Sequence, residues 1–174
     1  MAPAKSTAQA TTDPLLKRSF PPVVDGRTRL LVLGSLPGED SLAQARYYAH
    51  PRNHFWALIS VVVEQDLVPL GYEERLSTLL DASVGLWDVV ACAMRQGSLD
   101  AAIREPETNK LAELAATLPQ LRAVAFNGAK SADIGRKALS SSAIELVALP
   151  SSSPAYTLRF EAKLARWMEL RRFL

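Results

Sequence analysis

Apolar residues in this chain fall either in short unbroken runs or in longer helical stripes. The runs at 29–33, 84–91, 121–126 and 144–149 are rich in Leu, Val, Ile and Ala. Runs this short, bounded by Gly, Asn or Pro, predict buried strands. Between them lie "HFWALISVVVEQ" from His54, "YEERLSTLLDAS" and "TNKLAELAATLP", followed by segments starting near Ala129 and Leu158. Their three- and four-residue apolar spacing and their polar caps predict amphipathic helices. Strands alternating with helices predict an α/β fold: a three-layer α/β/α sandwich with a central, mainly parallel four-stranded sheet. Ligands in such sheets bind beyond the carboxyl ends of the strands. Gly34, Asp88, Asn127 and the loop from Pro150 to Tyr156 sit at or just past predicted strand ends, so they should converge on one edge.

Composition narrows the class of protein. With 174 residues, 48% of them hydrophobic, the chain can bury one sizeable core. Residues 19–174 are expected to form a single domain, and 1–18, opening "MAPAKSTAQATTDP", a flexible tail without the apolar centre of a signal peptide. No run approaches the length of a membrane span. The single cysteine, Cys92, excludes an internal disulfide framework and a cysteine-rich zinc or iron–sulfur site, and it fits a reducing cytoplasm. A net charge of +2 does not by itself diagnose nucleic-acid binding. The basic C-terminal "RFEAKLARWMELRRFL" also carries acids, which suits a solvated helix face.

The candidate chemistry lies in three loops. Gly34-Ser35-Leu36-Pro37-Gly38 could cradle a phosphate or form a bare turn, and it matches neither GxGxxG, the P-loop nor GxSxG. His50-Pro51-Arg52-Asn53-His54-Phe55-Trp56 holds both histidines of the chain. Asn53 reads either as a helix cap or as a site residue, and Trp56 as core. Pro51 argues against a helix presenting both imidazoles to a metal, and no metal or other cofactor is expected. Ser151-Ser152-Ser153-Pro154-Ala155-Tyr156 lacks the histidine and oriented acid of a serine triad, but its hydroxyls and amides suit phosphates.

Taken together, "GSLPG", "YYAHPRNHFW" and "LPSSSPA" resemble the uracil-DNA glycosylase superfamily, and most closely its hypoxanthine (deoxyinosine) DNA glycosylase family, over residues 30–157. In the mismatch-specific uracil enzymes the third residue of the Gly-x-x-Pro-Gly loop is a catalytic Asn. Here it is Leu36, which cannot hold water. The hypoxanthine family associates catalysis with the Asn of "HPRN", which implies Asn53 as the catalytic residue. The resemblance further implies a base pocket formed by Gly34, Ser35, Leu36, Tyr48, His50, Phe55 and Asp88. His50 and His54 would be donors, Tyr47, Tyr48 or Phe55 would stack on the base, and an Asp88 carboxylate would accept hypoxanthine N1–H while repelling adenine N1. Pro37, Gly38, Arg52, Ser151, Ser152, Ser153, Pro154 and Tyr156 are the expected DNA contacts, with Tyr156 filling the space of the flipped base. The implied partner is double-stranded DNA with a deaminated base, met by a monomer associated with the nucleoid. Excision of uracil or another deaminated base, or a non-catalytic nucleotide-binding module, are the rival readings.

Overall fold

The computed structural model describes residues 13–174. Four parallel strands form the central sheet in the order β3-β2-β6-β7: β2 (Leu30–Gly34), β3 (Val84–Asp88), β6 (Ala123–Asn127) and β7 (Glu145–Leu149). Period-two alternation turns Leu30 and Val32 to one face, and Leu31 and Leu33 to the other. The first face packs against helices α2 (Phe55–Val63), α3 (Tyr72–Asp81) and α6 (Phe160–Trp167), with Leu58, Ile59 and Trp167 fully enclosed. The second packs against α4 (Leu111–Ala116) and α5 (Ala129–Ala138). Apolar side chains on both faces explain the unbroken runs in the sequence. The α/β/α sandwich is as expected.

Three strands fall outside that expectation. The apolar run 84–91 does not form one strand. It breaks after Asp88, and β4 (Val90–Met94) joins a second, antiparallel sheet in the order β1-β4-β5 with β1 (Leu16–Arg18) and β5 (Arg104–Thr108). The cause is non-local: Asn109 Nδ2 donates to the Asp88 carbonyl (2.8 Å), and the Val89 and Val90 amides donate to Gly34 and Ser35. Val89, in the break, and Val90, just past it, are both fully buried, so hydropathy gave no sign of it. Strand β1 lies inside the expected tail, whose first twelve residues are outside the described region. Strand β5 is exposed throughout and carries no apolar signal. One short helix, α1 (Glu39–Gln44), follows Gly38, and α6 begins two residues later than its pattern suggests. Among the described residues no helix is long and apolar enough to cross a membrane.

In-register pairing sets Gly34 beside Asp88 and Asn127 beside Leu149. Four strand ends therefore open on one edge.

Candidate active site

A cavity of about 460 Å³ occupies that edge, lined by residues of loop 34–38, Tyr47, Tyr48, His50, Asn53, Asp88, Asn127 and loop 151–156. Asp88 forms its floor. The residue is 4% exposed, and its Oδ2 is enclosed without a hydrogen-bond partner among the described residues. It lies so close to Gly34 that a Cβ there would stand 2.5 Å from Asp88 Oδ1 and 3.2 Å from Tyr48 Oη. Only glycine fits. Burial first, then the nearby Asp100 charge, push the Asp88 carboxyl up to about 7, with Arg95 opposing them.

Tyr48 forms one wall. It adopts a left-handed backbone (φ 54°), and its ring stacks on Phe55 at 3.8 Å and 12°. Burial and the Asp88 charge both hold its phenol protonated, pushing its pKa up. Phe55 itself is fully buried behind Tyr48, so it supports the wall and does not face a ligand, contrary to the sequence expectation. Tyr47 also lines the cavity, but it is 4% exposed and its hydroxyl donates to the Pro21 carbonyl.

The Asn53 amide N–H donates to the His50 carbonyl, and its Oδ1 accepts the Phe55 N–H at 2.9 Å. Asn53 thus stands one residue before His54, the N-cap of α2, and its bond to the first helical N–H fixes the plane of its amide. The second lone pair of Oδ1 and the Nδ2 hydrogens stay available to a ligand. His50 Nδ1 accepts the Arg52 N–H (3.0 Å), so a neutral imidazole carries its proton on Nε2, 3.8 Å from Asp40 Oδ2. His54 does not reach this cavity. It lines a neighbouring cleft and meets Phe160 edge-on at 5.4 Å. Arg52 is exposed and lines neither space.

Loop 151–156 differs from expectation at its centre. Ser152 is fully buried: its N–H donates to Asn127 Oδ1 (2.8 Å), Asn127 Nδ2 donates to its Oγ (2.9 Å), and its carbonyl accepts the His54 N–H. Its hydroxyl is committed inside the protein and is not offered to a phosphate. Ser151 Oγ and Ser153 Oγ accept the amides of Ser153 and Ala155. Lys163 Nζ donates to the Ser153 carbonyl and sits 5.5 Å from the Tyr156 ring, which is 48% exposed at the rim.

Two residues escaped the sequence reading. Arg95, 1% exposed, donates to the carbonyls of Gly97, Leu36 and Pro37 and so anchors loop 34–38 from behind. Asp100 lines the cavity and accepts from Ser35 Oγ at 2.6 Å. Both follow the unforeseen break at Asp88, and Gly97 within "RQGSLD" was the one available turn signal.

The sequence profile of the uracil DNA glycosylase superfamily matches residues 21–173. The chain belongs to that superfamily. This glycosylase is 38% identical over 153 residues to the hypoxanthine DNA glycosylase of Methanosarcina barkeri (strain Fusaro / DSM 804), an alignment covering 88% of this chain and 96% of the relative. It is 39% identical over 141 residues to the hypoxanthine DNA glycosylase of Methanosarcina acetivorans, covering 81% and 89%. A solution NMR structure of a Methanosarcina acetivorans protein described as a uracil DNA glycosylase superposes with a TM-score of 0.82 at 36% identity, over 90% of this glycosylase and 97% of that chain.

Proposed function

We propose that this enzyme is a monofunctional glycosylase that removes hypoxanthine from deoxyinosine in double-stranded DNA by hydrolysis, leaving an abasic site. The observation that carries the reading is the division of labour in the cavity. Leu36 contributes no polar side chain to loop 34–38, whereas Asn53 presents an amide held by its bond to the Phe55 N–H, and Asp88 Oδ2 waits on the floor without a partner among the described residues. The names of the two Methanosarcina relatives agree with it.

In this reading the damaged nucleotide leaves the stack and enters the cavity, at a cost of roughly a few kcal/mol that a mispaired base keeps low. Tyr48, backed by Phe55, stacks on the purine. Asp88 meets the N1–H and O6 edge. Asn53 holds a water against C1′ while the sugar develops oxocarbenium character and the purine leaves with the bonding electrons. The water gives its proton to solvent, and the departing base takes one back. None of these steps calls on a metal or a redox group. The described residues lining the cavity include no lysine, so no imine-forming nucleophile faces the sugar. Tyr156, exposed on the rim, is suited to fill the gap in the duplex. The setting is a monomer acting in the cytoplasm, on the nucleoid.

Single-turnover assays on duplexes carrying inosine or uracil, followed by alkali cleavage, test the reading. Inosine is expected to be cut in preference, and Asn53→Ala to slow excision at least about a hundredfold with little loss of DNA affinity. Preference for uracil, or near-wild-type excision by folded Asn53→Ala protein, would overturn it.

A further inference from the structure

Asp88 presents a problem that superfamily membership does not solve. A carboxylate on the floor of a base pocket suits an incoming N1–H, but the leaving purine becomes an anion. Negative charge would then build directly against it, at an enclosed position where charges are poorly screened. Two further features sharpen the conflict. The Arg95 guanidinium, the natural counter-charge, is turned to the carbonyls of Leu36, Pro37 and Gly97. Asp100, a second acid, lines the same cavity and is held there by the Ser35 hydroxyl.

Resting on the deoxyinosine reading above, we propose that Asp88 meets the flipped base as a neutral carboxylic acid, its hydroxyl donated to O6 and its carbonyl oxygen accepting N1–H, with Asp100 as the positioning residue that keeps it neutral. The pairing is a two-point match to the lactam edge. It stabilises the leaving group because the hydrogen bond to O6 strengthens as charge spreads onto that oxygen. Asp88 keeps its proton throughout. The N9–C1′ electron pair goes to the purine, the water oxygen bonds to C1′, and solvent exchanges the remaining protons.

The surroundings all favour the neutral form. Asp88 is enclosed, its Oδ2 has no partner among the described residues, and its carboxyl is raised to about 7 by burial and by Asp100. Of the other charged or titratable neighbours, Tyr47 and Tyr48 are protonated phenols whose pKa values burial and the Asp88 charge raise. Among the described residues Arg95 is the group that pulls toward ionisation. Glu39, Asp40 and His50 also line the cavity. One consequence revises the sequence expectation. An ionised carboxylate rejects adenine, but a neutral acid can pair with adenine by exchanging the two roles. Discrimination then falls on the greater cost of extruding adenine from an intact pair.

Single-turnover excision from an inosine duplex, measured between about pH 5.5 and pH 9, reads the protonation state of the complex. The wild-type rate is expected to fall as pH rises through neutrality. Asp88→Asn, permanently neutral with a donor and an acceptor in the same places, should stay within about tenfold of wild type at low pH and lose the falling limb. Asp100→Asn can still accept from Ser35, yet its limb should move down by roughly half a unit to one unit. A wild-type rate that is flat or rises across this range overturns the proposal, as does an inactive Asp88→Asn or an unmoved limb in Asp100→Asn. Wild-type protein that leaves inosine uncut at every pH would instead sink the deoxyinosine reading.

Discussion

At the scale of single residues, the Asp88 floor carries a signature that is independent of any substrate. Its carboxyl has the ordinary carboxylate value of about 3.8 when the chain is unfolded, and burial and Asp100 push it up to about 7 in the fold. Between those values the folded state holds a proton that the unfolded state lacks, so stability falls as pH rises through this window and levels off above it. Asp88→Asn removes the penalty. It should be near-neutral at about pH 4 and stabilising by up to about 4 kcal/mol at about pH 8. Urea denaturation of both proteins at the two pH values checks the sign, and equal stabilities at the higher pH would mean that Asp88 is solvated. The same enclosure explains why Gly34 has to be glycine, which the sequence presented as part of a phosphate cradle or a bare turn. The steric reason is a carboxylate oxygen 54 residues away in sequence, and nothing local announces it.

At the scale of elements, what could be read from the sequence depended on whether the cause was local. Apolar runs and capped stripes disclosed the parallel sheet and its helices, because each depends on its own burial pattern. The break at Asp88 depends on Asn109, and β1 and β5 depend on pairing with β4, so a left-to-right reading missed them, and with them Arg95 and Asp100. Ser152 shows the same limit. A polar Ser/Pro stretch looks solvated, yet this serine ties the end of β6, the loop after β7 and the start of α2 together through Asn127 and His54. Its backbone bonds would survive Ser152→Ala, but Asn127 Nδ2 would be left buried without an acceptor. The expected cost is about 1–3 kcal/mol of folding stability. Chemical denaturation measures it, and a loss of DNA affinity without a loss of stability would return Ser152 to the phosphate-contacting role.

At the scale of the whole molecule, the net charge of +2 limits how the enzyme can hold DNA. Lys163, the cation nearest loop 151–156, is spent on the Ser153 carbonyl and the Tyr156 ring, and Arg95 is fully enclosed. Arg52 is the exposed cation on the segment that carries Asn53, and Pro51 beside it restricts where that segment can point. If the DNA lies across loops 34–38 and 151–156, backbone amides and hydroxyls supply most of the phosphate contacts, and these release few counterions. Affinity for an ordinary duplex should then fall with salt on a shallow log–log slope of about −2 to −3, where a strongly basic binder shows about −6 to −9. Arg52→Ala should weaken inosine-containing and ordinary duplexes equally and flatten that slope by about one unit. Fluorescence anisotropy titrations across a salt series give both quantities at once. A slope unchanged by the substitution would put Arg52 off the DNA path, and a wild-type slope steeper than about −5 would mean that basic side chains elsewhere on the surface carry the contact.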